Sequence, residues 1–171
     1  MSGRVPDQSA ARRRGRRPQP HGTDRGKGGV KRHVLVEAQG LPVGVAVTGA
    51  NVHEITQVQA VLDSMPGLPP PAEGDFAPGF CADKGYDAEA VRRLLARWGY
   101  RVHILGRGEE AEKCRTPGYR PRRWVVERTH AWFNPFRRLL IRWEKKVANY
   151  EALLHLACAN TVWRYSLLFS G

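Results

Sequence analysis

Phe80-Cys-Ala-Asp-Lys-Gly-Tyr-Asp87 is the stretch on which the fold turns. Its apolar start reads as a short buried strand over Gly79 to Ala82, and a helical pattern follows from about Ala88 to Trp98, with Asp87 expected as its cap. Asp83 therefore stands where a strand ends and a helix is about to begin. Further on, Arg123-Trp-Val-Val-Glu-Arg-Thr-His-Ala-Trp-Phe-Asn-Pro-Phe-Arg-Arg-Leu-Leu-Ile-Arg-Trp-Glu144 reads as a long amphipathic helix that carries Glu127. Carboxylates delivered from a strand end and a helix, inside an arginine-dominated chain, point to a divalent metal held against a phosphodiester. Asp7 is the third of these sparse acidic residues.

Working outward, Arg32-His-Val-Leu-Val-Glu37 and Leu41-Pro-Val-Gly-Val-Ala-Val-Thr48 are strand-like runs joined at Ala38-Gln-Gly40, an antiparallel hairpin. Glu54 to Met65 has helical spacing, and Pro66 to Pro78 is a loop rich in Pro and Gly. Arg101 to Leu105 is another strand, Gly106 to Pro121 a basic loop, and Val147 to Phe169 a last helix. Ala11 to Gly29 holds Arg, Gly and Pro with too few apolar residues to bury, so residues 1–30 are expected to form a basic mobile arm and residues 31–171 the folded domain. Pro6 and the short segment before Asp7 leave little room for an anchoring strand. No internal repeat is visible.

The chain has 171 residues, enough for one domain with a real core, and a formal net charge of +12. That excess favours a polyanionic partner, with nucleic acid ahead of a membrane surface. No apolar run approaches the roughly 20 residues that span a bilayer, and no signal segment opens the chain, so a cytoplasmic, nucleoid-associated protein is expected. Cys81, Cys114 and Cys158 are far apart and lack zinc-ligand spacing; Cys81 and Cys158 read as small buried hydrophobes.

Hairpin, helix, strand, helix, strand, helix, helix is the order of a ribonuclease H-like α/β domain, a mixed sheet flanked by helices, here with an incomplete first strand. Metal-binding carboxylates in that fold belong on the first strand, after the fourth strand and on a late helix. Asp83 and Glu127 take the last two places, and Asp7 is the acidic residue nearest the first.

Four stretches carry a more specific likeness: Thr23-Asp-Arg-Gly-Lys27 with Lys31 and His33, Thr48-Gly-Ala-Asn-Val-His53, Ala82-Asp-Lys-Gly-Tyr-Asp87, and Trp124-Val-Val-Glu-Arg-Thr-His-Ala-Trp132 continuing through Phe136-Arg-Arg-Leu139. Through them the chain resembles the C-terminal catalytic part of insertion-sequence DDE transposases of the family-five type. The resemblance implies a polynucleotidyl transferase that cleaves double-stranded DNA at element ends and transfers the 3′-hydroxyl into target DNA. It implies Asp83, Glu127 and Asp7 as catalytic metal ligands for two Mg²⁺ or Mn²⁺ ions about 4 Å apart. It also implies a homo-oligomer in the active complex and an upstream reading-frame product as a further partner. The alternative is a truncated, non-catalytic DNA-binding remnant or regulator.

Read from the residues alone, Asp83 can equally begin a plain turn. Glu127 shares a stripe with Arg123, Ala131, Asn134 and Arg138, opposite Trp132, Phe136, Leu139, Leu140 and Trp143, and such a polar stripe suits a solvated surface as well as a cleft. Candidate phosphate contacts are Arg12, Arg13, Arg14, Arg16 and Arg17 in the arm, Lys84 beside Asp83, and Arg123, Arg137 and Arg138 around the long helix, with Arg142, Lys145 and Lys146 nearby. Arg115, Arg120 and Arg122 form a second basic group. Asn51 and His53 suit either substrate positioning or a helix cap. His130 and His155 read as structural. Pro135 lacks an N–H donor and is expected to kink or break the helix beyond Glu127.

Overall fold

Gly29–Val36 (β2) and Pro42–Gly49 (β3) pair antiparallel, Val34 opposite Val45 and Arg32 opposite Val47. Their side chains alternate between two buried faces, which is why β2 is covered from Val30 to Val34 without a break. The computed structural model describes residues 2–6, 29–67, 77–105, 107–113, 115–117 and 123–169. Asp7, the arm arginines Arg12, Arg13, Arg14, Arg16 and Arg17, and Cys114, Arg120 and Arg122 lie outside the described residues. Within the range expected to be an arm, Ser2–Pro6 forms a strand (β1) that pairs antiparallel with β2, from Ser2 opposite His33 to Pro6 opposite Gly29. The five-residue ladder anchors more than the short segment before Asp7 was expected to, and it fits the incomplete first strand read from the element order.

One face of this sheet carries Val30, Val34, Val45 and Val47 and packs on Phe133, Leu139, Tyr150, Leu154 and Ala157 from the C-terminal helices. The other carries Leu35, which joins a second core of Val58, Leu62, Val91, Leu94 and Leu95. That second layer is built by a 3₁₀ turn at Glu54–Gln57, helix α1 at Val58–Asp63, strand β4 at Gly79–Ala82, helix α2 at Glu89–Arg97 and strand β5 at Arg101–Ile104. β4 and β5 pair in parallel, Gly79 opposite Arg101 through Ala82 opposite Ile104, as a strand–helix–strand unit requires. Phe80 meets Tyr100 edge to face at 5.6 Å beneath α2. The chain is thus mixed α/β with helices and two small sheets, one of three antiparallel strands and one of two parallel strands, where a single mixed sheet was expected.

α1 lies against the outer edge of β3. A Cβ at Gly44 would come within 2.6 Å of the Val61 carbonyl oxygen, so only glycine admits the helix backbone at that distance. The Ser64 hydroxyl, one turn on, accepts the Val45 N–H at 2.8 Å and donates to the Val61 carbonyl at 2.7 Å. An edge-strand donor that would face water is thereby satisfied from the helix end.

The segment read as one long helix is two. Helix α4 spans Arg123–Trp132, the chain turns through Phe133, and α5 covers only Arg137–Leu140. Pro135 has no N–H to give, and Phe133, Asn134 and Phe136 take three-residue bonds to His130, Ala131 and Phe133 in place of helical ones. The break aims Phe133 into the core with no exposed surface. It also turns Leu140 and Trp143, expected on the apolar face, out to solvent. Arg107–Lys113, expected as loop, is a short helix α3, and Val147–Phe169 is α6, as its apolar content suggested. Among the described residues no helix is long and apolar enough to cross a membrane.

Polar groups are buried within these layers. Arg32 is 5% exposed on the C-terminal-helix side of β2, its guanidinium carbon 5.8 Å from the Phe133 ring centroid. Its Nε and Nη1 have no hydrogen-bond partner among the described residues, and burial lowers its pKa. His33, on the opposite face, shares a 2.7 Å hydrogen bond with Thr48. Cys158 is half-buried against the same core as Arg32, and burial pushes its thiol up to about 12. Cys81, expected to be buried, is exposed on β4.

Two consequences are measurable. Gly40, in the hairpin turn, has a φ of +89°, and a Cβ there would meet Arg128 Nη2 at 3.1 Å; Gly40→Ala should lower stability by about 1–3 kcal/mol in urea unfolding. For His33, burial first and the Lys31 charge next lower the pKa below its ordinary 6.5, while the Glu54 carboxylate opposes them. The unfolded chain then takes up the proton first, so stability is full above about 6.5 and falls as the pH drops below it. His33→Gln should flatten that slope in urea midpoints taken between roughly pH 5 and 7.

Candidate active site

Asp83 follows the last residue of β4 with extended backbone, and its Oδ1 accepts the Gly85 N–H at 3.4 Å. That bond opens a 3₁₀ turn over Lys84–Tyr86, so the half-buried carboxylate is held at the C-terminal end of a parallel strand. The turn is tied to the first sheet. The Tyr86 hydroxyl donates to Glu54 Oε2 across a long 3.5 Å, and Glu54 Oε1 lies 3.6 Å from Lys31 Nζ. The ammonium, buried on β2, also donates to the Val52 carbonyl at 3.0 Å. Burial first, then the charge of Glu54, its hydrogen bond and the charge of Asp83 raise the Tyr86 pKa, which keeps the phenol protonated and able to donate.

Lys31, Glu54 and Tyr86 were within or beside recognised stretches, yet sequence reasoning gave them no part in the site. The signal was the burial of a lysine on a strand, which demands a carboxylate, and Glu54 in the first turn of the next element could have been chosen on that ground.

Asp87 does not cap α2. The helix starts behind Ala88, and no side chain caps it. Asp87 instead accepts from Arg92 Nε at 2.7 Å and from Lys84 Nζ, and these two bonds pull its pKa down to about 2. Lys84, read as a phosphate contact, is therefore paired with Asp87 while its side chain stays 58% exposed. His53 precedes the Glu54 turn without a side-chain cap bond, so the capping role considered for it is not seen.

Glu127 is on the exposed side of α4, whose buried side is Val125, Thr129 and Phe133. The helix is fastened to the hairpin turn. Thr129 Oγ1 donates to the Gly40 carbonyl, and Arg128 Nη2 donates to the Gln39 carbonyl. The Arg128 guanidinium lies between Trp124 and Trp132, 4.6 and 5.0 Å from their ring centroids. This clamp stiffens the helix turn that presents Glu127.

The remaining basic candidates separate by environment. Arg137 is exposed. Arg138 is exposed and 3.4 Å from Glu144. Arg142, grouped with them from sequence, is buried and donates to the Glu144 and Lys145 carbonyls at 3.0 and 3.1 Å, which makes it a brace for the α5–α6 connection. Arg123 opens α4. His130 is half-buried, edge to face with Phe133 at 6.4 Å, in keeping with a structural role, whereas His155 is exposed on α6.

Asp83 follows β4, which packs with the α1–α2 core, and Glu127 is carried by α4, which is bonded to the hairpin turn of the antiparallel sheet. Both offer carboxylate oxygens, the donor type that Mg²⁺ and Mn²⁺ prefer. Among the described residues no three His, Cys, Asp or Glu side chains form a group that could hold a metal ion. The donor chemistry fits such an ion, and the described residues supply two of the three carboxylates named from sequence.

Comparison with known proteins bears on this arrangement directly. The family described as Transposase DDE domain matches residues 4–161. A protein of Burkholderia cepacia, described as "Putative transposase for insertion sequence element IS402", is 38% identical over 150 residues, covering 84% of this chain and 67% of the relative. The chain matches no solved structure. A family match that takes in the end of β1, the hairpin, Asp83, Glu127 and most of α6, together with this relative, shows that the chain belongs to the insertion-sequence DDE transposases.

Proposed function

We propose that the chain acts on double-stranded DNA, cutting at insertion-sequence ends and joining the freed 3′-hydroxyl to target DNA, through a ribonuclease H-like arrangement of Asp83, Glu127 and Asp7. The observation that carries the reading is the presentation of Asp83 and Glu127. Both lie in stretches that the family match covers, neither is buried, Asp83 accepts the Gly85 N–H, and the neighbours of Glu127, Arg128 and Thr129, bond α4 to the hairpin turn. The three carboxylates would hold one or two Mg²⁺ or Mn²⁺ ions, which when bound sharpen a water or 3′-hydroxyl as nucleophile and steady the leaving oxygen.

The chain's own residues do the positioning. The Gly85 N–H restrains the Asp83 carboxylate, and the Tyr86–Glu54–Lys31 series fixes the turn behind it against β2. Arg128, held between two tryptophans, keeps α4 from rotating Glu127 away. Arg137, with Lys84, Arg123, Arg138 and the arm arginines, supplies phosphate contacts within a chain of net charge +12. An upstream reading-frame product is a further partner in this reading. A second reading, DNA binding without chemistry, is supported by the net charge of +12 and the exposed Arg137 and Arg138, which contact phosphates without a metal.

A duplex with a pre-exposed 3′-hydroxyl end, labelled and incubated with Mg²⁺ or Mn²⁺, separates the two. Asp83→Asn and Glu127→Gln should each cut nicking and strand transfer by about 10³-fold or more, while DNA affinity measured in the same samples stays within a few-fold and falls steeply with salt. Binding by wild type with no product under any metal condition would establish the non-catalytic reading.

A further inference from the structure

Helix α6 buries Tyr150, Leu154 and Ala157 completely, yet its opposite side is largely apolar, with Asn149 and Ser166 as exposed polar residues on it. Ala148, Ala152, Leu156, Ala159, Trp163 and Leu167 are all exposed and fall on one line down that side. Leu156, Trp163 and Leu167 are 65, 63 and 64% exposed. No charged residue interrupts the line, although the chain carries a net charge of +12. Nucleic acid, which needs cations, finds none on the line itself, although Arg137 and Arg138 of α5 share a pocket with Leu156, and the helix does not have the length and apolarity to cross a membrane.

The order of sizes selects the occupant. The steps along the line are four, four, three, four and four residues, which read the same in both directions. When the helix is laid antiparallel on a copy of itself about a two-fold axis near Ala157 and Cys158, Ala148 faces Leu167, Ala152 faces Trp163, and Leu156 faces Ala159. Every small side chain meets a large one, as close helix packing requires. Half-buried Glu151 and exposed Arg164 are the acidic and basic residues of the helix; in this register Glu151 of one copy lies level with Arg164 of the other, and the two copies of each lie about 20 Å apart along the axis. Covering the line in both copies would remove about 1,200 Å² of surface, the lower end for a specific interface.

We infer that α6 is a self-association surface whose occupant is the α6 of a second copy, antiparallel and in this register. The interface involves neither Asp83 nor Glu127, and it stands or falls independently of the DNA chemistry. The test uses full-length, nuclease-treated protein in about 0.5 M salt, so that nucleic acid does not bridge copies. Sedimentation equilibrium of wild type should give twice the 19.2 kDa chain mass. An acidic variant, Leu156→Glu with Ala159→Glu, and a basic one, Leu156→Lys with Ala159→Lys, should each keep the wild-type circular dichroism and weaken pairing by about 100-fold or more. Mixed in equal amounts and measured at about 0.1 M salt, where the new ion pairs are not screened out, the nuclease-treated variants should recover the doubled mass, because residue 156 of one chain faces residue 159 of the other. Wild type at single-chain mass at roughly 50 μM, or a folded acidic variant that stays dimeric, would overturn the interface. Two folded monomeric variants that fail to recombine would overturn the antiparallel register.

Discussion

The docking of α4 on the hairpin turn is the constraint on which the C-terminal layer depends. The turn is prepared first. The Glu37 carboxylate accepts the N–H groups of Gln39 and Leu41, both at 2.9 Å, and leaves the carbonyls of Gln39 and Gly40 facing outward. Arg128 and Thr129 take those two carbonyls. Because Gly40 has neither a Cβ nor a barrier to positive φ, the helix can come close enough for both bonds. Phe133 then reaches the sheet, α5 follows, and the Tyr150 hydroxyl donates to the Leu139 carbonyl at 3.0 Å to hold α6.

The central sheet divides its labour between faces. One side of β2 is mostly aliphatic and serves packing, with Arg32 as the exception. A charge at that depth costs free energy unless paired, and stacking against Phe133 offsets only part of the cost. The other side places Lys31 and His33 among partners: Lys31 with Glu54 and the Val52 carbonyl, His33 with Thr48. Through Glu54 and Tyr86 this polar face is what the Asp83 turn leans on, so the alternation of β2 carries the difference between core and site.

Much of this was legible in the sequence, and the boundaries of β4 and α6 were read directly, because a short apolar run bounded by Gly and Asp and a long, mostly apolar run without Gly or Pro have few alternatives. The hairpin was legible from alternation. What escaped was set by tertiary partners. Arg142 looks like any other basic residue beside Arg137 and Arg138 until two carbonyls at a chain reversal claim it. Asp87 looks like a cap until Arg92 and Lys84 draw it aside. Pro135 announced a break, but the apolar spacing through Trp143 argued for continuity, and only the burial of Phe133 shows which signal prevailed. β1 was expected only as an incomplete first strand, because pairing with β2, not its own composition, makes it a strand.

The bonds that seat α4 span 89 residues of chain, whereas the hairpin and α1 close through contacts a few tens of residues apart. Long closures cost more entropy and form later than short ones. During synthesis, the sheet and the Asp83 turn can therefore order while the Glu127 helix is still to be made, and a chain stopped before residue 123 has the first layer without the second. The order of synthesis therefore brings the Asp83 turn into place ahead of the helix that carries Glu127.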